Sequence, residues 1–199
     1  MSLSTYSDLQ ASVANWLNRT DLTDEIKDFI SITESRLERE IKSPLNEKTV
    51  NLTVTSDSET VIPSDYIEAK DLFYKKEPLQ RVSLGELYAY RDKSGTPTCF
   101  ARKNDRFVLF PSITSVSTGD LELNYYFKLD RLSDSNTTNA MFTYSPELYL
   151  FGALKQAATF LGSDPSMYEL RYAEAFTALM KHAMQAETSG SIAVVENGY

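Results

Sequence analysis

Residues 145–165 read SPELYLFGALKQAATFLGSDP, and they open the stretch 145–186 that decides the fold. Ser145 and Asp164 are residue types that favour helix N-caps, and each is followed by a proline, which suits the first helical position. Gly162 stands just before the second cap, where a helix ends well on a residue that tolerates a left-handed backbone. The pattern predicts a helical hairpin.

The first helix of this hairpin is apolar nearly all the way round. Spacings of three and four residues give a first stripe of Leu148, Phe151, Leu154, Ala158 and Leu161. A second stripe contains Tyr149, Leu150, Ala153, Ala157 and Phe160. Because a surface helix needs only one such stripe, we expect this helix to be buried on most sides. The second helix has one broad apolar side, formed by Met167, Leu170, Ala173, Phe176, Met180, Ala183 and Met184.

Composition limits the possible partners. The chain has 199 residues, enough for one core with or without appendages, and a net charge of −8. An acidic chain argues against a surface that binds duplex DNA by neutralising phosphates. Cys99 is the sole cysteine, which fits a reducing compartment. Since no apolar run approaches a membrane span and no signal peptide begins the chain, we expect a protein that works in a cytoplasm or in a particle assembled there, without a membrane partner.

Two helices are predicted before the middle of the chain. Residues 5–18 have a capping residue, Thr5, and an apolar face. Residues 23–42 follow, with apolar positions at a period of 3.6 and acidic residues at the start. Pro44 limits any continuation. We assign residues 1–47 to a helical body.

The middle of the chain, residues 48–129, has the alternation of a β-rich insert. The predicted strands are 48–55, 59–62, 69–76, 79–82, 98–102, 106–110 and 121–129. The strand at 79–82 is expected to pair with the one at 69–76, and Thr118-Gly119-Asp120 is expected to be a turn. The S-x-x-E spacing from Ser83 predicts a short helix over 84–91. The insert could be a sandwich or a small barrel.

The sequence therefore predicts an α+β protein with a helical bundle body, in which two N-terminal and two C-terminal helices flank the β-rich insert. Residues 130–144 form a polar loop that is long enough to be mobile or to contact a partner. Residues 145–187 complete the body. Residues 188–199 are an extended tail with the apolar patch Ile192, Ala193, Val194 and Val195, which needs a surface to dock on.

The sequence offers few candidates for catalytic residues. A Cys–His pair would need Cys99 and His182, the only residues of their types, and such lone residues are more often packing residues. Phosphate-binding glycine loops, a nucleophile elbow, calcium loops and zinc ligand sets are absent from the sequence, so we expect no catalytic residue, no cofactor and no metal. Acidic pairs such as Glu34 and Glu38 are expected to be solvated. They leave open a carboxylate-dependent glycan hydrolase as the alternative function.

Several segments resemble one protein family. They are residues 144–154 and 157–161, Tyr168-Glu169 with Arg171-Tyr172 and Ala175-Phe176, residues 13–17, the helix with Phe29-Ile30 and Arg36-Leu37, the corner 62–66, and the strand 121–126 after a Gly-Asp turn. Together they are similar to the head-to-tail adaptor proteins of short-tailed bacteriophages.

This resemblance implies a structural virion protein. Such adaptors form a ring, usually of twelve copies, between the portal and the tail, and they extend the channel through which genomic DNA passes. The implied partners are the portal protein, a tail nozzle or fibre protein, and copies of the chain itself. The implied location is the head-to-tail junction of the virion, after assembly in the host cytoplasm. A different phage neck or connector protein is the remaining alternative.

The resemblance also implies roles for residues. The tail would dock on the portal through Ile192, Val194, Val195 and Tyr199. A neighbouring subunit would cover the second stripe of the first hairpin helix, formed by Tyr149, Leu150, Ala153, Ala157 and Phe160. The acidic composition suits a channel along which DNA must slide.

Overall fold

The computed structural model describes residues 3–89, 93–113 and 115–188, and the chain divides into two compact units. Residues 1–46 and 129–199 belong to the helical unit, and residues 47–128 form the β unit. Within the described residues the helices are α1 (Tyr6–Leu17), α2 (Thr23–Glu40), α3 (Leu84–Ala89), α4 (Ala140–Tyr144), α5 (Pro146–Phe160) and α6 (Ser166–Thr188). The strands are β1 (Glu47–Val54), β2 (Glu59–Val61), β3 (Tyr66–Tyr74), β4 (Glu77–Pro78), β5 (Gln80–Arg81), β6 (Cys99–Lys103), β7 (Arg106–Phe110) and β8 (Ser117–Phe127). This mixture confirms the predicted α+β class.

The predicted N-terminal helices both form. Thr5 caps α1 in a capping box, because its hydroxyl accepts the Asp8 N–H at 3.2 Å and its own N–H donates to the Asp8 carboxylate at 3.0 Å. Helix α2 buries one face, with Ile26, Phe29, Ile30, Thr33, Glu34 and Leu37. A short 3-10 turn, Pro44–Asn46, follows α2, as expected where proline limits the helix.

Helix α5 is the centre of the helical unit, as its apolar character predicted. Its buried residues are Leu148, Tyr149, Leu150, Gly152, Ala153, Leu154, Ala157 and Ala158. Helices α1, α2 and α6 all pack against it. Gly152 allows α2 to pack closely against α5, because a Cβ at this position would clash with Cγ2 of Thr33 on α2. The side chain of Ser145 does not cap α5; its hydroxyl instead donates to Glu147 at 2.9 Å.

The hairpin closes through Gly162, whose φ of +68° lies in the left-handed region, and Asp164, whose carboxylate accepts the Ser166 N–H at 3.0 Å. The predicted buried face of α6 is only partly right, since Ala183 is buried and Phe176 packs against the core. The buried side chains are Tyr172, Ala175, Leu179 and Ala183, whereas Met167 and Leu170 are 57% and 61% exposed. The observed buried face includes Tyr172, whose ring is buried while its hydroxyl donates to Glu40 at 3.2 Å.

The segment after the β unit is not a free loop. Asn139 caps α4 by accepting the Phe142 N–H at 2.8 Å, and it donates to the Asp130 carbonyl at 2.9 Å. The Tyr6 N–H donates to the Thr137 carbonyl at 2.8 Å, which ties the segment to the start of α1. The prediction of an irregular polar loop over 130–144 is therefore corrected: the segment contains a short helix and is held by hydrogen bonds.

The β unit is a sandwich of two four-stranded sheets, with strand orders β1-β8-β3-β4 and β2-β7-β6-β5. Leu121, Leu123 and Tyr125 of β8 are fully buried and share a core with Phe107 and Leu109 of the other sheet. The capping box of α3 forms, because the Ser83 N–H donates to Glu86 at 2.8 Å. Helix α3 covers the outer face of the second sheet, and residues 90 and 91 of the predicted helix lie outside the described residues.

One prediction in the β unit is wrong and another holds only in part. Residues 118–120 belong to β8, where Gly119 has a φ of +85° and the register with β1 shifts, so the expected turn is a bulge inside a strand. The expected pairing of 79–82 with 69–76 holds at Leu79, whose N–H donates to the Leu72 carbonyl at 2.8 Å, whereas β5 pairs in parallel with β6. Among the described helices, none is long and apolar enough to cross a membrane.

Candidate interaction surfaces

Cys99 is a buried packing residue, whereas His182 lies on the exposed surface of α6. Cys99 is buried beneath α3, its thiol contacts the Phe110 carbonyl at 3.5 Å, and burial raises its pKa. A thiol with a raised pKa is a poor nucleophile, since the thiolate is the reactive form. His182 is exposed on α6, and its ring centroid lies 5.1 Å from that of Tyr144. Across residues 3–89, 93–113 and 115–188, no group of His, Cys, Asp and Glu side chains could hold a metal ion.

The expectation that Glu34 is solvated is wrong, because its residue surface is only 6% exposed. Its carboxylate accepts the Leu132 N–H at 2.8 Å, so α2 holds the segment that follows the β unit. Burial raises the pKa of Glu34 to about 7, and the Leu132 N–H and the Arg131 charge oppose that rise. The sequence carried a signal for this burial, since Glu34 lies four residues after Ile30 and three before Leu37 on the buried face of α2.

The positive charge of Arg131 lies near this carboxylate and favours its ionised form. Its guanidinium donates to Glu38 at 3.3 Å, to Ser31 at 3.3 Å and to Ser35 at 3.0 Å, all on α2. The two carboxylates that could suit a glycan hydrolase are therefore engaged with Arg131 and with a backbone N–H. A glycosidase needs its acid and its second carboxylate open to substrate. Glu34 and Glu38 do not meet that requirement.

The second stripe of α5 is mostly covered by the chain itself. Tyr149, Leu150, Ala153 and Ala157 are all at most 5% exposed within the single chain. Phe160 differs, because it is 58% exposed, although its ring packs against Phe29 with the ring centroids 5.5 Å apart. Of the five residues assigned to subunit packing, Phe160 therefore offers the accessible apolar surface.

An apolar surface surrounds the α5–α6 turn. We call it the turn patch and define it as Phe160, Leu161, Met167 and Leu170, whose side chains are exposed. The last turn of α5 is less covered by other helices than the rest of α5. On α6, the tyrosines face the core, and Met167 and Leu170 do not. Exposed apolar side chains on a folded protein are candidate contact points for other proteins.

Charge is distributed unequally between the two units. Residues 47–128 carry 12 acidic and 11 basic side chains, so the remaining 16 acidic and 9 basic side chains of the helical unit account for nearly all of the net charge of −8. Basic side chains of the β6–β7 hairpin are paired with acid: Lys103 and Arg106 lie 3.3 and 3.4 Å from the Glu59 carboxylate. The helical unit is thus the acidic part of the chain.

The predicted portal-binding residues, Ile192, Val194, Val195 and Tyr199, lie outside the described residues. They follow α6, whose last residue is Thr188.

Comparison with known families gives one match. Residues 4–195, nearly the whole chain, match the model of the family described as SU10 adaptor protein. No curated protein matches the sequence.

Proposed function

Because this chain belongs to the SU10 adaptor protein family, a family of phage head-to-tail adaptors, we propose that it forms a ring between the portal and the tail of the virion and extends the DNA channel. The match over residues 4–195 is the observation that carries this proposal. The proposed partners are the portal protein, a tail nozzle or fibre protein, and further copies of the chain, twelve in the complete ring. Assembly takes place in the host cytoplasm.

The turn patch supports the self-assembly part of the proposal. A ring needs a heterologous contact, in which one surface of a subunit meets a different surface of the next. Phe160 and Leu170 supply exposed apolar area at a defined place, the α5–α6 turn. We propose that the turn patch is one half of the subunit contact. The predicted role of the second α5 stripe is retained only for Phe160, since the other four side chains are already buried.

The charge distribution supports the channel part of the proposal. Phosphates of passing DNA are repelled by an acidic wall and would be retained by a basic one. Because the helical unit holds nearly all of the net negative charge, we propose that this unit lines the channel. The near-neutral β unit then contacts the next tail component.

Ring formation is tested with the purified chain, alone and mixed with portal rings, by native mass measurement and negative-stain imaging. We expect rings on the portal. Leu170→Ser should reduce ring formation at least tenfold while leaving the unfolding midpoint in urea unchanged, because its side chain is already in water. Val116→Ser is the matched control, since Val116 is 62% exposed in the β unit. A chain that stays monomeric even on portal rings refutes the proposal.

The tail is tested separately. We propose that Ile192, Val194, Val195 and Tyr199 dock on the portal. Deleting residues 190–199 should leave the urea midpoint unchanged and abolish binding to immobilised portal. Binding of the truncated chain at full-length affinity would show that the tail is not the docking segment.

A further inference from the structure

An open groove runs along the helical unit between α2 and α6. Its volume is about 380 Å³, and it is lined by Arg36, Glu40, Tyr172, Ala173, Phe176 and Thr177. Phe176 is half-buried, and Ala173 and Thr177 are exposed, so the α6 wall offers apolar surface to a partner. The turn patch adjoins this wall, because Leu170 lies three residues before Ala173 and is its neighbour on the surface of α6.

The α2 wall of the groove carries both charges. The Arg36 guanidinium lies 4.7 Å from the ring centroid of Tyr172, and it pairs with Glu40 at 2.7 Å. The Glu40 carboxylate also accepts the Tyr172 hydroxyl at 3.2 Å. The Arg36 and Glu40 side chains remain 32% and 36% exposed. Because a carboxylate has about four acceptor sites, Glu40 can take a further donor.

The sole tryptophan of the chain is exposed on the other side of α6. Trp16 lies near the end of α1 and is 51% exposed. Its ring meets the rings of Phe151 and Tyr168 edge-on, with centroids 5.8 and 6.4 Å away. At about 100° per residue, Ala173 and Thr177 lie about 140° and about 180° round α6 from Tyr168. Trp16 therefore cannot enter the groove of its own chain.

We propose that Trp16 of one subunit inserts into the α2–α6 groove of the next subunit. The inference rests on the proposed ring, and it names the two surfaces that the subunit contact would join. The groove and the adjoining turn patch form one half of the contact, and the surface around Trp16 forms the other. Because the two halves differ, the contact repeats from subunit to subunit, and a closed ring satisfies every copy.

The charges of the two surfaces are complementary. The face of an indole ring carries negative potential, and tryptophan attracts a cation better than any other aromatic side chain. Arg36 supplies that cation. The edge of the indole has one donor, Nε1–H, and no acceptor, which suits the Glu40 carboxylate. The rest of the ring is apolar and suits Phe176 and Ala173.

Trp16 is also prepared for binding. Its contacts with Phe151 and Tyr168 already restrict its ring, so little side-chain freedom is lost when a partner covers it. Tryptophan and arginine are the residue types that most often dominate the binding energy of protein interfaces. A leucine or methionine of the turn patch would fill the same groove without a match for Arg36 or Glu40.

Hydroxyl-radical footprinting read by mass spectrometry tests the contact in the natural chain, free and in portal-bound rings. We expect the oxidation rates of Trp16 and Phe176 to fall several-fold when rings form, because both side chains would leave the solvent. Rings in which Trp16 is oxidised as fast as in the free chain would overturn the inference and leave the ring proposal standing. A chain that forms no rings on the portal would refute the proposed function, and this contact with it.

A matched pair of variants tests the groove. Ala173→Arg places a long cationic side chain in the groove wall and should reduce ring formation at least tenfold, as the loss of a dominant contact does. Ala178→Arg adds the same charge at an exposed position about 140° further round α6 and should assemble normally. Both positions are exposed, so both urea midpoints should match that of the natural chain. Equal ring formation by the two variants would overturn the inference.

Mixing two variants identifies what covers Trp16. Trp16→Leu keeps an apolar side chain beside Phe151 and Tyr168 and leaves the groove intact, whereas Ala173→Arg keeps Trp16. On portal rings, Trp16 of the Ala173→Arg chain should be oxidised at the free rate when that chain is alone. It should become protected when the Trp16→Leu chain is added. If protection does not return, a different surface covers Trp16 and the inference is wrong.

Discussion

The free energy of unfolding of Glu34→Gln, relative to that of the natural chain, should increase as the pH rises. The Glu34 carboxyl is buried, and its pKa is raised from 4.5 to about 7. Groups that face it are Arg131, which favours its charged form, Glu38, which disfavours it, and the Tyr149 phenol, whose own pKa is raised mainly by burial. A glutamine keeps an oxygen that can accept the Leu132 N–H but cannot ionise.

The sign follows from proton binding. Between pH 4.5 and 7 the folded state holds a proton on Glu34 that the unfolded state has released, so stability falls as the pH rises through this window. The cost of ionising the buried carboxyl is about 1 kcal/mol at pH 5.5 and about 3 kcal/mol at pH 8.5 for this pKa difference. The stability of Glu34→Gln relative to the natural chain should therefore increase by about 2 kcal/mol across this range.

Urea unfolding measured by circular dichroism at pH 5.5, 7.0 and 8.5 gives the two stabilities. Any fixed cost of the buried amide is the same at each pH, so the slope with pH is the readout. Glu38→Gln is the matched control, because Glu38 lies one turn along α2 and contacts the same Arg131. Its stability difference should change with pH by less than about 1 kcal/mol, as for a surface ion pair. A Glu34→Gln difference that stays constant with pH would refute the raised pKa.

Two further substitutions test the packing of α5. Gly152→Ala should destabilise the chain by about 1–3 kcal/mol, because the new Cβ would clash with Thr33. Gly85→Ala in α3 is the control: its new Cβ would have no neighbouring atom closer than 4.0 Å, so it should be neutral or stabilising by up to about 1 kcal/mol. The urea unfolding midpoints of the two variants give the comparison. Asn139→Ala should cost about 2–3 kcal/mol, since it removes the α4 cap and the acceptor of the Tyr149 hydroxyl at 3.1 Å. Asn139→Asp, which keeps an oxygen at the position that accepts both hydrogen bonds, should lose less than half of that amount in the same assay.

Local signals predicted most of the elements. The capping boxes at Thr5 and Ser83 each hold, and the two apolar stripes of α5 identify it as the central helix. These features depend on interactions between residues a few positions apart, so a short segment of sequence is enough to predict them. The strand pattern of 121–127 is equally local, because alternate residues of a strand face opposite sides.

The errors come from contacts between distant segments. Glu34 is buried because Arg131 and Leu132, nearly one hundred residues later, fold over it. The face of α6 depends on Tyr172, whose hydroxyl meets Glu40 of α2. The sequence of α6 alone does not show whether the face with Tyr172 or the neighbouring face with Met167 is buried. The turn patch is a direct result of that choice, so it could not be located before the helix pairing was known.

The two proposed contacts, with a neighbouring subunit and with the portal, lie at opposite ends of α6. Helix α6 has 23 residues and is therefore about 34 Å long. Leu170, in the turn patch, lies near its first turn, and the proposed portal-docking tail begins after its last. Because the sides of α5 are buried within the chain, the proposed contact between subunits is assigned to this exposed patch instead. Contacts so far apart should fail independently. A Leu170→Ser chain should still bind portal as separate subunits, whereas a chain without residues 190–199 should lose the portal while its turn patch stays intact.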